Sequence, residues 1–142
     1  MTDKVQLVDD PALPMLNGIA AFEISTDQPE VLKRFYGELF GWTFLGEPGT
    51  PYHVIRTPSE KSIYGGLWDN RVQEEARGRN WSIIGIQVDD VEAACVRAVE
   101  AGGTVMGGPE KSDGPDGTVY AHLYDPSGNQ IGIFSRPVQH GD

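Results

Sequence analysis

The chain has 142 residues, and a content of 39% hydrophobic and 23% charged residues indicates a globular protein rather than a disordered one. A formal net charge of −10 argues against nucleic acid or an anionic membrane surface as a partner. The single cysteine, Cys95, excludes an intrachain disulfide, and together with the absence of a secretory pattern near residue 1 it favours the cytoplasm.

The first half of the chain predicts one strand, one helix and three further strands. Asp27 is the predicted N-cap of the helix, and Glu30 follows it at the spacing of a capping box. Apolar residues then recur at helical spacing until Gly41, a residue type that often ends helices. The strands of this half are predicted at residues 18–25, 42–45, 52–57 and 62–68.

The second half repeats this order of elements. Its helix is predicted over residues 91–101, capped by Asp89 or Asp90, and Cys95 on its apolar face is expected to be a small buried hydrophobe. Residues 107–117 are predicted to form a loop that either covers a pocket or lies on the surface. The strands of this half are predicted at residues 81–88, 104–106, 118–124 and 130–135, the last two joined by a turn.

A fixed offset relates the two halves. Three pairs of landmark residues are each 62 positions apart: Asp27 and Asp89, Glu30 and Glu92, and Gly41 and Gly103. Such an offset predicts two copies of one βαβββ unit, with a ligand pocket on the surfaces where they face each other. We therefore predict tails at 1–15 and 137–142 around a single domain at 16–136, with units at about 17–68 and 81–135 and a connector at 69–80.

Several short motifs carry a resemblance to a known family. They are Phe22-Glu23-Ile24, Asp27, Phe35-Tyr36, Leu39-Phe40-Gly41-Trp42, Gly65-Gly66, Val88-Asp89 and Asp125-Pro126-Ser127-Gly128. In them the sequence resembles the vicinal oxygen chelate superfamily, which includes glyoxalase I, bleomycin-resistance proteins and extradiol dioxygenases. The resemblance covers about residues 17–136. It implies an α+β fold in which two tandem units form a U-shaped, cupped mixed sheet, and it implies a homodimer.

The resemblance also bears on metal binding. Enzymes of that superfamily hold a divalent ion with His, Gln or Glu at four strand positions, which correspond in this chain to Ala21, Gly66, Ile83 and Gly132. None of these residues has the imidazole, carboxylate or thiolate that Zn²⁺ or Ni²⁺ requires, so we expect no metal ion and no other cofactor. A replacement site made of Glu23, His122 and His53 stays open as a minor alternative.

Strand alternation predicts which side chains surround these four positions, because residues i and i+2 of a strand share a face. The resemblance adds two cavity residues upstream of the Asp125 turn. The predicted ligand-binding residues are Ala21, Glu23, Tyr64, Gly66, Trp68, Ile83, Gln87, Tyr120, His122, Gly132 and Phe134. An apolar wall with few polar groups is typical of a small-molecule site, although the same rings would also serve as a filled core.

The function favoured on these grounds is binding of a small organic molecule without a metal ion. Glu23 aimed at an apolar cavity needs a partner or a cationic ligand, so the ligand is expected to be aromatic or cationic. This would be drug sequestration, an antibiotic-resistance function of the bleomycin-resistance type. The alternative is a metal-free isomerase, cyclase or lyase with His122 or Glu23 as general base; a purely structural role is a third, weaker interpretation. The expected partners are the small molecule and a second copy of the chain.

Overall fold

The computed structural model describes residues 16–72, 79–111 and 117–136. Both predicted tails, His140, and parts of the predicted connector and loop lie outside the described residues. No helix in the described ranges is long and apolar enough to cross a membrane. The elements are β1 (Ile19–Thr26), α1 (Pro29–Phe40), β2 (Thr43–Leu45), β3 (Tyr52–Arg56), β4 (Gly65–Asp69), β5 (Trp81–Gln87), α2 (Val91–Glu100), β6 (Thr104–Lys111), β7 (Val119–Tyr124) and β8 (Gln130–Ser135).

All of these strands form one mixed sheet in the order β2-β3-β4-β1-β5-β8-β7-β6. The first strands of the two units, β1 and β5, pair antiparallel at its centre. Each also pairs in parallel with the last strand of its own unit, β4 or β8. The two βαβββ units therefore join edge to edge, and the predicted α+β fold on a curved mixed sheet is confirmed.

Helix α1 begins one residue later than the capping prediction required. Its N-cap is Gln28 rather than Asp27, and no side chain caps it in the predicted manner. The Gln28 N–H instead donates to Thr26 Oγ1 at 2.9 Å, so the preceding strand residue satisfies this donor. At the other end the prediction is confirmed, because Gly41 adopts φ 75° and its N–H donates to the Gly37 carbonyl.

One of the two aspartates predicted to cap helix α2 does so. Asp90 is the N-cap of α2, and its Oδ1 accepts a hydrogen bond from the Ala93 N–H at 3.0 Å. The capping prediction is therefore resolved in favour of Asp90 over Asp89.

Strand β6 is longer than predicted. It continues to Lys111, so the first part of the predicted loop at 107–117 is strand, while residues 112–116 lie outside the described ranges. Its pairing with β7 shifts register twice, between Val105 and Gly107 and again before Glu110. Because β6 is an edge strand, it tolerates these irregularities and Pro109. The glycine and proline content of this segment had predicted a loop instead.

Two apolar clusters lie between the helices and one face of the sheet. The cluster under α2 contains Val88, Val91, Cys95, Ala121, Leu123 and Ile133. The cluster under α1 centres on Ile24, Ile55 and Leu67. Cys95 is only 7% exposed, and burial raises the pKa of its thiol, so it is a small core residue as predicted. The opposite face of the sheet carries Glu23, Trp68, Tyr120 and His122, and we call it the open face.

Candidate functional site

Glu23 lies on β1 at the middle of the open face. Its neighbours Phe22 and Ile24 pack in the cluster under α1, so strand alternation directs Glu23 to the other side. The register of the sheet places it between Gly66 of β4 and Ile83 of β5. The Glu23 side chain is 18% exposed to solvent. The carboxylate is therefore shielded by protein but still reachable from solvent.

Two nitrogen donors hold one oxygen of this carboxylate. Trp68 Nε1 donates to Glu23 Oε1 at 2.9 Å, and His122 Nε2 lies 3.0 Å from the same oxygen. An ionised carboxylate can only accept, so we assign the shared proton to Nε2 of His122. Within the described residues, Glu23 Oε2 has no hydrogen-bond partner. One oxygen is thus fixed by the protein, and the other is available to a ligand.

The residues at the family's four metal positions do not fit a divalent ion. Ala21, Gly66, Ile83 and Gly132 carry no donor atom. An added Cβ at Gly132 would lie 2.7 Å from Glu23 Oε2, and one at Gly66 would collide with the Tyr52 hydroxyl. Side chains thus occupy the space beside both glycines. In the part of the chain that the structure describes, no three His, Cys, Asp or Glu residues group as metal ligands.

His53 does not join the other candidate ligands. Tyr52 pairs with Trp68 in register, and the next residue, His53, therefore points to the opposite face of the sheet. Its Nε2 lies 3.2 Å from the Glu47 carbonyl oxygen. The replacement metal site that combined His53 with Glu23 and His122 is not formed.

Aromatic rings surround the Glu23 carboxylate. The Trp68 ring centre lies 4.5 Å from that of Tyr52 and 6.0 Å from that of Tyr120, which in turn lies 6.2 Å from the His122 ring. Tyr52 was not among the predicted ligand-binding residues, because the sequence does not reveal the register of β3 against β4. Burial raises the pKa of the Tyr52 phenol, and the Glu23 carboxylate raises it further.

Arg136 lies at one end of the open face and was also missed. Its guanidinium carbon is 5.2 Å from the centre of the Phe134 ring and 5.5 Å from that of Tyr64. This geometry is a cation–π contact with both rings. The signal for it was present in the sequence, because Arg136 is two residues beyond Phe134 and shares its strand face.

The other end of the open face is more polar. His122 is 1% exposed, and its ring centre lies 5.5 Å from that of Trp81. Trp81 is two residues before Ile83 on β5 and shares its face, although it was not among the predicted ligand-binding residues. Trp81 Nε1, His122 Nδ1 and Gln130 Nε2 are buried without a hydrogen-bond partner among the described residues. An unsatisfied buried group of this kind costs about 1–3 kcal/mol. This end therefore favours polar over apolar contacts.

The structure brings most of the predicted ligand-binding residues together. The residues that meet around the carboxylate are Glu23, Gly66, Trp68, Ile83, Tyr120, His122 and Gly132. Four others lie farther along the strands, towards the end that carries Arg136: Ala21, Tyr64, Gln87 and Phe134. These residues share the open face because neighbouring strands keep their alternation across the sheet, and their role in binding a ligand stays a prediction.

Two cavities lie away from the open face. A groove of about 680 Å³ on the helix side is bordered by Phe22, Tyr36 and Trp42, and a smaller cavity of about 150 Å³ lies beside Lys33 and Arg71. Neither is lined by Glu23, Trp68 or His122. The rings of the open face contact one another and fill part of the space that the sequence predicted as a hollow.

The sequence model of the Glyoxalase/Bleomycin resistance protein/Dioxygenase superfamily matches residues 18–133. No curated protein matches the chain. Many solved structures are similar in fold, and three of them serve as examples. One is described as an NAD-dependent benzaldehyde dehydrogenase from Legionella pneumophila, with a TM-score of 0.60, 15% identity, and coverage of 82% of this chain and 98% of that one.

The second is methylmalonyl-CoA epimerase from Mycobacterium tuberculosis, with a TM-score of 0.59, 13% identity, and coverage of 93% of this chain and 96% of the epimerase. The third is the Mn(II)-bound glyoxalase from Novosphingobium aromaticivorans, with a TM-score of 0.57 and 17% identity. There the match covers 92% of this chain and 43% of the glyoxalase. At such low identities, these likenesses bear on the fold alone.

Proposed function

The chain belongs to the Glyoxalase/Bleomycin resistance protein/Dioxygenase superfamily, and on that premise we propose that it binds a small organic cation bearing an aromatic ring, without a metal ion. The binding surface is the open face, and the anchor is the Glu23 carboxylate. The observation that carries the proposal is the state of this carboxylate, with Oε1 held by two donors and Oε2 without a partner in the described residues.

The surroundings of Glu23 Oε2 support a cationic ligand. The partly shielded position strengthens attraction to a positive group relative to open water. The Trp68 and Tyr120 rings lie 6.0 Å apart on the open face, and aromatic rings attract cations and stack on aromatic ligands. The formal net charge of −10 adds a long-range attraction for cations at low ionic strength.

Calorimetric titration tests this proposal with named compounds. The probes are benzylamine, an acridinium salt and bleomycin, with benzyl alcohol as the uncharged counterpart of benzylamine. We expect at least one cation to bind and benzyl alcohol to bind much more weakly. Glu23→Gln keeps the shape of the side chain and removes its charge, so it should lower cation affinity about tenfold or more.

The matched control is Glu100→Gln, which makes the same change of charge at an exposed position on α2, on the opposite face of the sheet. Cation affinity should stay within about twofold of the unmodified protein, since solvent and salt screen a distant surface charge. Equal effects of the two substitutions would contradict a specific role for Glu23. Compounds recovered unchanged after incubation would support sequestration.

A second candidate function is metal-free acid–base catalysis. The contact between Glu23 and His122 favours it, because a carboxylate with one fixed and one available oxygen can also accept a proton from a bound substrate. Methylmalonyl-CoA, the compound in the name of one fold neighbour, is a suitable first substrate. Proton exchange at its acidic carbon in D₂O, followed by NMR, should occur with the unmodified protein and disappear with Glu23→Gln. Absence of exchange with this compound argues against that substrate, and binding without exchange favours sequestration.

A further inference from the structure

The geometry points to a zwitterionic ligand, with its cationic end on Glu23 and its anionic end on Arg136. This inference rests on the proposed function, because it adds a second anchor to the same open face. It narrows the ligand class from organic cations to molecules that carry both charges on a flat, rigid spacer.

Arg136 is positioned to receive an anion. Its guanidinium lies against the rings of Phe134 and Tyr64, which fix its place without using its N–H donors. Arg136 is exposed, and in residues 16–72, 79–111 and 117–136 no carboxylate pairs with it. A guanidinium held in this way can bind a carboxylate through two parallel hydrogen bonds.

Tyr52 connects the two charged groups in space. Its hydroxyl lies over Gly66, the register partner of Glu23. The Glu23 carboxylate raises the pKa of this hydroxyl and the Arg136 guanidinium lowers it, so both charges act on the same group. Gly132, beside Glu23 Oε2, and Phe134, beside Arg136, also share one face of β8, so Glu23 and Arg136 border one surface.

The spacing of the anchors follows from strand geometry. Glu23 Oε2 lies beside Gly132, as the 2.7 Å approach to an added Cβ shows, and the Arg136 guanidinium lies beside Phe134. Gly132 and Phe134 are two residues apart on one strand face, which is about 7 Å along β8, and we take the separation of the two anchors to be at least this large. An α-amino acid carries its charges too close together to reach both. A benzene ring with the charges at its para positions matches this spacing and has a face for Trp68 and Tyr120.

The experiment compares three probes by calorimetry at low ionic strength. They are 4-(aminomethyl)benzoate, which carries both charges, its methyl ester, which carries only the cation, and benzylamine. We expect 4-(aminomethyl)benzoate to bind about tenfold more tightly than the ester, since a charge-assisted hydrogen bond is of that strength. Arg136→Gln should abolish this difference, so that 4-(aminomethyl)benzoate binds no more tightly than its ester. Glu23→Gln should weaken binding of all three probes.

Arg97→Gln is the matched control, because it removes an exposed arginine from α2 on the opposite face of the sheet. It should leave the preference for the zwitterion unchanged. Cation binding that depends on Glu23 but shows no preference for the zwitterion, or a preference that survives Arg136→Gln, would overturn the inference and leave the proposed function standing. Failure of every cation to bind, or binding that is insensitive to Glu23→Gln, would overturn both.

Discussion

Glu23 Oε1 lies 3.0 Å from His122 Nε2, so one hydrogen bond joins β1 to β7 across 99 residues of chain. The bond links the two βαβββ units on the open face, where His122 is almost fully buried and Glu23 is partly exposed. Trp68 donates to the same oxygen from β4. A single carboxylate therefore satisfies two nitrogen donors from two other strands, which gives it a structural role alongside its proposed role in binding.

Replacing Glu23 should reveal this structural role. Glu23→Ala leaves the N–H groups of His122 and Trp68 without an acceptor, so the free energy of unfolding should fall by about 1–3 kcal/mol. Glu23→Gln keeps an acceptor oxygen and should lose less. Urea denaturation measures both changes, and Glu100→Ala, at an exposed position on α2, should stay within about 0.5 kcal/mol. A loss for Glu23→Ala no larger than that of Glu100→Ala would contradict the prediction.

Gly132→Ala should disturb the site more than the fold. The new methyl group would lie 2.7 Å from Glu23 Oε2 and would displace the end of this flexible side chain. We expect affinity for an aromatic cation to fall about tenfold, because the carboxylate moves away from its binding position. Gly85→Ala is the control, since its methyl group would find its nearest neighbour, the Ala21 carbonyl oxygen, at an ordinary 3.4 Å. Calorimetric titration should separate the two variants; equal affinities would count against the position assigned to Oε2.

Tyr52 should make stability depend on alkaline pH. Its pKa is raised in the folded protein, by burial first and by Glu23 second, while the unfolded phenol titrates near pH 10. Above about pH 10 the unfolded chain therefore binds fewer protons than the folded one, and stability falls as pH rises. Urea unfolding between pH 8 and 11 should show a smaller decline for Tyr52→Phe. Phenolate absorbance should also show a late-titrating tyrosine that this variant lacks, and identical titrations would contradict the prediction.

Helix α1 should mediate association of two copies of the chain. It contains no buried residue, and it exposes Val31, Phe35 and Leu39 at a spacing of four residues, whereas α2 buries Val91 and Cys95. A contiguous apolar surface of this kind is typical of an interface, so we expect a homodimer. Light scattering should report a dimer for the unmodified chain and a monomer for Phe35→Glu. Val96→Glu, at an exposed apolar position on α2, should remain dimeric; a monomeric unmodified chain would refute the expectation.

Local patterns in the sequence explain why the fold, and the face on which Glu23 lies, could be predicted. The offset of 62 residues holds for the starts of β1 and β5 and of α1 and α2, because each unit folds from the same local signals. Side chains alternate between the two faces of β1, so Phe22 and Ile24 lie in the apolar cluster and Glu23 lies on the open face. The predicted cap of α1 was wrong, because the helix begins after Gln28 and no side chain caps it, while the Gln28 N–H donates to Thr26 Oγ1 of the preceding strand.

The sequence by itself determined the order of the elements and the duplication, since these depend only on local periodicity. It also shows that Ala21, Gly66, Ile83 and Gly132 have no metal-binding side chain, although the resemblance to the superfamily is what marks these positions. Only the tertiary structure decided that Tyr52 lies over Gly66, that His53 turns away, and that Glu23 reaches both His122 and the space beside Gly132. Those relationships depend on strand register and sheet curvature, which bring together side chains far apart in the chain and leave no local pattern in the residues involved.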